Sequence, residues 1–173
     1  LAQIGEPGGI VAPERTLEKK DYKTLSVLVP VYNERSTIGE VIRRIRSVEV
    51  PLEVEIVVVN DGSSDGTDKV LATLEDSTVR VFNHPVNQGK GAALRTGLEA
   101  ATGDLIIIQD ADLEYDPEDW IKLLDPIMKH KANVVYGSRF TGERKNMLLL
   151  HWIGNRFLSL VTNVLYATTL SDM

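Results

Sequence analysis

The stretch that decides the fold spans residues 103–117 and has the sequence GDLIIIQDADLEYDP. Its four apolar residues, Leu105–Ile108, have the length and composition of a buried strand. Acidic residues follow at once, and Asp116 and Pro117 are then of the types found at the N-cap and first position of a helix. The stretch therefore predicts a strand, an acidic loop and a helix, in that order.

The same alternation of strands and helices extends in both directions along the chain. Further strands are predicted at 25–29, 54–59, 79–82 and 133–136. Helices are predicted at 37–47, at 91–101 and at 147–167, and Gly103 is the predicted stop of the helix at 91–101. A further helix is predicted to begin with a cap at Ser64 or Asp65 and to end at about residue 75. This order indicates an α/β fold with a mostly parallel, Rossmann-like sheet and helices on both faces.

The length of 173 residues suits one compact domain with a proper core. Residues 1–23 are rich in Gly, Pro and charge, and we expect a flexible N-terminal arm there and a single domain over 24–173. Because the chain begins at Leu1 and ends at Met173 after a polar turn, we also expect it to be a fragment, truncated at its C-terminus.

Composition narrows the possible chemistry. The chain has no cysteine, which excludes disulfides, a thiolate nucleophile and a zinc–thiolate site. Its net charge of −6 argues against nucleic acid as a partner. The charge is divided locally. Residues 104–119 carry seven acidic and no basic side chains, whereas residues 137–170 carry four Lys or Arg side chains and one Glu. Such a division suits a cation bound next to a polyanion.

Two common nucleotide-binding patterns are not matched. The segment Gly89-Lys90-Gly91-Ala92-Ala93-Leu94 begins like a dinucleotide fingerprint, but leucine stands at its third glycine position and it follows the third predicted strand. The string Gly-x-x-x-x-Gly-Lys-Ser/Thr of a P-loop does not occur. Hydride transfer and P-loop phosphoryl transfer are therefore disfavoured.

The acidic loop is the strongest candidate site. Asp110, Asp112 and Glu114 alternate along the chain, and on an extended backbone they would project to the same side. Mg2+ and Mn2+ prefer such oxygen ligands and leave positions for substrate phosphates. The alternative is an acidic loop before a helix N-terminus, where negative charge is favourable without any metal.

Polar residues also follow the other predicted strands, where ligands bind in parallel α/β sheets. Asp61 can accept from a base N–H, Tyr32 can lie against a base or ribose, and Glu34 can contact a ribose hydroxyl. Lys90, at a helix N-terminus, suits an anion. The alternatives are a tight turn with a helix cap for the segment around Asp61 and a solvated side chain for Lys90.

Taken together, these motifs resemble those of the family 2 glycosyltransferases of the GT-A fold, and among them the dolichyl- and undecaprenyl-phosphate sugar synthases. The matching strings are Pro30-Val31-Tyr32-Asn33-Glu34, Asn60-Asp61-Gly62-Ser63, Asn87-Gln88-Gly89-Lys90-Gly91, Asp110-Ala111-Asp112, Gly137-Ser138-Arg139 and His151-Trp152-Ile153-Gly154-Asn155. They run in the family order from about residue 25 to the end of the chain.

The resemblance implies a nucleotide-sugar donor such as GDP-mannose or UDP-glucose, with Mg2+ or Mn2+ as cofactor. The residues expected to bind the donor are Pro30, Tyr32, Glu34, Asp61, Lys90, Asp110 and Ala111. The residues expected to hold the metal are Asp110, Asp112 and Glu114. By the same analogy Asp112 is catalytic.

The resemblance also implies a polyprenyl phosphate acceptor and inverting transfer of a hexose at the cytoplasmic face of a membrane. The protein would be peripheral there, or anchored by segments beyond residue 173. The residues expected on the acceptor side are Ser138, Arg139, Arg144, His151 and Arg156, with Arg139 also catalytic. Two alternatives stay open: transfer to a polysaccharide or other hydroxyl, with Asp172 as the base, and a non-catalytic nucleotide-sugar-binding domain. The oligomeric state is not predicted.

Overall fold

The computed structural model describes residues 20–137 and shows four strands and four α-helices in alternation. The strands are β1 (Thr24–Val31), β2 (Glu53–Asn60), β3 (Val79–Asn83) and β4 (Leu105–Ile108). The helices are α1 (Ile38–Ser47), α2 (Thr67–Leu74), α3 (Lys90–Ala100) and α4 (Trp120–Met128). A 3₁₀ turn at Pro117–Asp119 precedes α4, and the Asp116 side chain caps it by accepting from Glu118 N, as predicted.

The four strands form one parallel sheet in the order β3-β2-β1-β4. The chain builds the sheet outward from β1 to β2 and β3, then returns through α3 to place β4 on the other side of β1. The strand order therefore reverses between β1 and β4. In open parallel sheets this reversal leaves a crevice outside the carboxyl ends of the two strands, and ligands bind there.

The core is built from alternate residues of the central strands. Leu25, Val27 and Val29 are fully buried in a cluster that also receives the apolar faces of α1, α2 and α4. On α1 these are the residues spaced as predicted: Ile38, Val41, Ile42 and Ile45. The opposite face of the sheet carries α3, where Gly97 lies close enough to Leu28 and Val59 that a Cβ would be about 3.5 Å from both. Helices on both faces of a parallel sheet confirm the predicted α/β class.

Two details differ from the sequence-based expectations. Asn133–Tyr136 forms no strand: Val134 and Tyr136 are 64% and 89% exposed, and none of the described residues pairs with the segment. An apolar run forms a strand only when a sheet edge takes up its hydrogen bonds. Gly103 does not end α3, because that helix already ends at Ala100 without a left-handed residue.

Gly103 is required instead by a close approach of two backbone segments. A Cβ at this position would lie 2.6 Å from both the N and the Oγ of Ser26. The Gly103 N–H donates to Ser26 Oγ at 2.8 Å and to Glu55 Oε1 at 3.1 Å. The Glu55 carboxylate also accepts from Ser26 Oγ, from Thr102 N and from Arg80 Nη2. It thereby joins β1, β2, β3 and the turn before β4.

Replacing Glu55 with glutamine should lower the free energy of unfolding by about 1–3 kcal/mol, since hydrogen bonds to a partly buried charged group are lost. Burial by itself raises the pKa of Glu55, but the bonds from Ser26 and Thr102 and the charge of Arg80 together lower it below the ordinary value. The stabilisation is therefore complete above the unfolded-state pKa of about 4.3 and is lost as pH falls through the lower folded-state pKa.

Urea titrations of wild type and Glu55→Gln between pH 3 and 7 measure this effect. The stability difference should be largest near neutral pH and should shrink in acid. Glu53→Gln is the matched control, because Glu53 lies on the same strand with its side chain exposed. Equal losses for the two variants would contradict the assigned role of Glu55.

The chain divides into two compact units, Leu1–Asn133 and Val134–Met173. All elements given above belong to the first unit. Of the second, the structure describes residues 134–137, which have no regular secondary structure. Within the predicted N-terminal arm, Lys23 is bonded to the sheet region, since its N–H donates to Asp104 Oδ2 and its carbonyl accepts from Glu53 N. None of the helices in the described range is long and apolar enough to span a membrane.

Candidate functional site

A cavity of about 290 Å³ lies where the strand order reverses. Residues that follow β1 and β4 form two of its walls, and the N-terminal turn of α3 forms a third. Its lining consists of Pro30, Val31, Tyr32, Glu34, Asp61, Asn87, Lys90, Ala93, Asp110, Ala111 and Asp112. We call it the switch-point cavity.

The switch-point cavity brings together all seven residues predicted to bind a nucleotide-sugar. They come from segments up to 81 residues apart in the chain, from Pro30 to Ala111. Asp112 of the predicted metal set also lines the cavity, whereas Glu114 does not. Parallel strands end at the same edge of a sheet, and that geometry explains why strand-end residues meet here.

Asp61 is almost completely buried, and its carboxylate organises the segment that leads into α3. Oδ1 accepts from His84 Nδ1 at 2.7 Å and from Gln88 N at 2.9 Å, and Oδ2 accepts from Gly89 N at 2.7 Å. Burial alone raises the pKa of Asp61, but these hydrogen bonds outweigh it and lower the pKa below its ordinary value. A carboxylate has about four acceptor positions, so the ionised group keeps one on Oδ2 for a ligand N–H.

His84 is a site residue that the sequence analysis missed. Because a carboxylate only accepts, the imidazole Nδ1 must carry the proton that it shares with Asp61. Its Nε2 lies 2.9 Å from Thr96 Oγ1 on α3, and only 11% of the side chain is exposed. The histidine therefore joins Asp61 to α3. Its position directly after β3 was the available signal, because strand ends are where polar site residues collect.

The wall formed by the start of α3 carries one partner of an ion pair, and the segment after β4 carries the other. Lys90 Nζ lies 2.6 Å from Asp110 Oδ1, and Lys90 is the first residue of α3. The ammonium group and the free N–H groups at the start of the helix together make this wall attractive to an anion. Both side chains are partly exposed, so the pair itself adds little to stability.

The acidic loop does not have the extended shape assumed in the sequence analysis. Asp112 Oδ1 accepts from Glu114 N at 3.0 Å, and Leu113 has a φ of +66°. This local turn removes the alternation that would have placed Asp110, Asp112 and Glu114 side by side. Among residues 20–137 no three acidic, histidine or cysteine side chains are grouped so as to hold a metal ion. The predicted convergence of three carboxylates is therefore wrong.

Two carboxylates in the cavity still fit a divalent ion that arrives with a diphosphate. Mg2+ is commonly bound through one or two carboxylates plus substrate phosphates, not by a cage of protein ligands. Asp110 and Asp112 both line the cavity, and Lys90 Nζ lies 2.6 Å from Asp110 Oδ1. The chemistry of this donor set suits a metal–diphosphate pair better than a free metal ion.

The wall formed by the end of β1 and the residues after it is less polar than the other two walls. Tyr32 is 49% exposed and presents its ring at the end of β1. Glu34 accepts from the Thr37 hydroxyl just before α1, which orients its carboxylate. An exposed aromatic ring next to a fixed carboxylate suits a ligand with a flat base and hydroxyl groups.

A larger cavity of about 380 Å³ lies between the end of β3 and the outer face of α2. It is lined by Asn60 and by the acids Asp68 and Glu75, together with Gly62 and His84. Its lining includes none of the predicted site residues and no lysine or arginine. We therefore place the candidate site in the switch-point cavity, where topology, charge and the predicted residues coincide.

The predicted acceptor-side residues lie outside the described residues, as does the predicted helix at 147–167. These residues are Ser138, Arg139, Arg144, His151, Arg156 and Asp172. Their roles stay predictions.

Comparison with known proteins identifies the protein family to which the chain, with its cavity residues, is similar. The model of the family described as glycosyl transferase family 2 matches residues 26–159. That range includes every strand end that contributes to the switch-point cavity.

Two relatives are similar over most of the chain. A dolichol-phosphate mannosyltransferase from Pyrococcus furiosus is 36% identical over 117 residues, which is 67% of this chain and 33% of that protein. A UDP-N-acetylglucosamine–dolichyl-phosphate N-acetylglucosaminyltransferase from Methanococcus voltae is 31% identical over 169 residues, 87% of this chain and 66% of that protein. The chain thus spans between one third and two thirds of the length of these relatives.

A similar solved structure is glucosyl-3-phosphoglycerate synthase from Mycobacterium tuberculosis, in complex with Mn2+, uridine diphosphate and glucosyl-3-phosphoglycerate. It is 32% identical with a TM-score of 0.51, over 61% of this chain and 40% of that one. The shared fold agrees with the predicted GT-A class.

Proposed function

The chain belongs to glycosyltransferase family 2, and from that premise we propose that it forms the donor-binding part of an enzyme that transfers a hexose to a polyprenyl phosphate. The proposed donor is a nucleotide-sugar of the GDP-mannose or UDP-glucose type. The observation that carries the proposal is the convergence of all seven predicted donor residues in the switch-point cavity.

The cavity offers a distinct group to each part of such a donor. The remaining acceptor position on Asp61 suits an N–H of uracil or guanine, and the exposed ring of Tyr32 suits the face of the base. Glu34 suits a ribose hydroxyl. Lys90 and the N-terminus of α3 attract the diphosphate.

Asp110 and Asp112 would hold Mg2+ or Mn2+ against the two phosphates. The ion supplies electrophilic stabilisation of the charge that develops on the departing diphosphate. Lys90 adds positive charge from the start of α3, with its Nζ 2.6 Å from Asp110 Oδ1. These three side chains would therefore act together on the leaving group.

A polyprenyl phosphate acceptor would need no general base at this site. A phosphate oxygen would form a bond to C1 of the sugar as the bond from C1 to the diphosphate breaks, with inversion at C1. A phosphate is already anionic at neutral pH, so no proton has to be removed. No histidine lines the switch-point cavity within residues 20–137, and His84 is committed to Asp61 and Thr96.

The names of the two relatives support this choice of acceptor, since one name includes dolichol phosphate and the other dolichyl phosphate. We propose that Ser138, Arg139, Arg144, His151 and Arg156 bind the acceptor phosphate, with Arg139 also catalytic. The enzyme would then act at the cytoplasmic face of a membrane, where its acceptor resides.

A screen of nucleotide-sugars with a short-chain polyprenyl phosphate tests the proposal. We expect one donor to release its nucleoside diphosphate and to yield a polyprenyl-phosphate sugar detectable by mass spectrometry. Removal of divalent ions with EDTA should lower the rate to background, and Mn2+ or Mg2+ should restore it. Donor binding without release would favour a non-catalytic binding domain, and transfer to a hydroxyl but not to the lipid phosphate would favour the alternative acceptor class.

A further inference from the structure

The buried amide of Gln109 lies directly behind the acidic loop. Gln109 follows β4, is 2% exposed, and its N–H donates to Leu28 O on β1. Its Oε1 accepts from the indole N–H of Trp120 at 3.0 Å. Its Nε2 donates to the carbonyls of Tyr115 at 3.1 Å and Asp110 at 3.3 Å.

The partners determine the orientation of this amide. An indole N–H can only donate and a backbone carbonyl can only accept, so Oε1 must face Trp120 and Nε2 must face the loop. A flipped amide would lose all three hydrogen bonds. The contacts therefore define one arrangement of the amide, which is held by Trp120 of α4 on one side and by the loop carbonyls on the other.

The two carbonyls are those of the first and last residues of the loop 110–115. Between them the chain has no regular secondary structure. Asp110, Ala111 and Asp112 line the switch-point cavity. The Asp112 side chain is further oriented by the hydrogen bond that it accepts from Glu114 N. One side chain thus joins both ends of the segment that carries Asp110 and Asp112, two of the four carboxylates that line the cavity.

We propose that Gln109 is a positioning residue for the donor site, because its amide closes the loop 110–115 and so sets where Asp110 and Asp112 lie. This inference rests on the proposed function, which makes those carboxylates the ligands of a metal–diphosphate pair. It differs from a purely structural role, in which Gln109 would serve only to satisfy the buried indole of Trp120.

Two substitutions separate these roles. Gln109→Met keeps the size and apolar packing of the side chain but loses all three hydrogen bonds. Trp120→Phe loses the indole bond but leaves the two bonds from Gln109 to the loop. Both should lower the melting temperature, by about 2–4 °C or more. Only Gln109→Met should also weaken the binding of Mn2+ with GDP or UDP, by about 10-fold or more, as expected when the support of a metal ligand is removed.

Calorimetric titration of each diphosphate in the presence of Mn2+ gives these affinities. Native-state hydrogen exchange at the Glu114 amide gives an independent measurement without metal or nucleotide. Exchange there should be faster in Gln109→Met and unchanged in Trp120→Phe, because the loop closes only in the latter. If Gln109→Met does not fold, Gln109→Asn takes its place, since it keeps a polar amide that is one methylene too short to reach Trp120 and both loop carbonyls together.

Equal affinity losses in the glutamine and tryptophan variants would overturn the proposal, as would unchanged exchange at Glu114 in the folded glutamine variant. A wild-type protein that binds neither diphosphate with Mn2+ would instead refute the proposed function. The exchange measurement would still decide the role of Gln109 in that case.

Discussion

Asp112→Asn is expected to lower sugar transfer by about 10²–10³-fold or more while leaving the fold unchanged, as is typical when one electrostatic contact to a transition state is removed. The asparagine Oδ1 can still accept from Glu114 N, so the turn at Leu113 is kept. What is lost is one of the two negative charges that the acidic loop places in the lining of the switch-point cavity. The change therefore isolates the charge of Asp112 from its part in the loop.

Asp116→Asn is the matched control. Asp116 belongs to the same acidic segment and accepts from Glu118 N in the same way, but it does not line the cavity. Transfer rates, melting temperature and Mn2+–diphosphate affinity should be measured for both variants. An Asp112→Asn protein that transfers sugar at the rate of Asp116→Asn would remove Asp112 from the metal site.

The contrast between these two aspartates bears on what the sequence can predict. The strands and helices through residue 128 follow from apolar periodicity, because a buried strand and an amphipathic helix need little information beyond it. The switch-point cavity follows from the same pattern, since consecutive parallel strands bring their ends to one edge. Tyr32, Asp61, Lys90 and Asp110 were predicted on that basis, and the structure places them around one cavity.

The shape of the acidic loop could not be predicted in this way. Alternating carboxylates share a side only on an extended chain, and an aspartate can hydrogen-bond to the backbone two residues later instead. Asp112 does so with Glu114 N, which turns the chain at Leu113. The residue types were visible in the sequence, but the competition between these two conformations is decided by the surroundings.

The roles of His84 and Gln109 were hidden for a related reason. His84 acts through Asp61, 23 residues earlier, and Gln109 acts through Trp120, 11 residues later. Neither spacing belongs to a local motif. Such residues become apparent only when the fold has placed their partners, and they support the cavity from behind instead of lining it as a contact surface.

Gly62→Ala is expected to lower the free energy of unfolding by about 2–5 kcal/mol, from backbone strain and overpacking together. Gly62 has a φ of +68°, and a Cβ there would lie 2.4 Å from the carbonyl carbon of Val86 and 2.5 Å from Asn87 N. Both atoms belong to the backbone, so the segment must move as a whole. Donor affinity should fall by about 10-fold or more as well, because the segment continues into the N–H groups that bind Asp61.

Two other glycines separate the causes of this loss. Gly89→Ala introduces strain alone, since φ is +89° with no atom within 4 Å of the new Cβ, and about 1–3 kcal/mol is expected. Gly39→Ala lies in α1 with open space around it and should stabilise the protein by about 0.5–1 kcal/mol. Urea denaturation of the three variants gives the order of their free energies of unfolding directly. If Gly62→Ala were no worse than Gly89→Ala, the contact between the turn after β2 and the segment before α3 would not be close, and Asp61 could not be held by that segment as described.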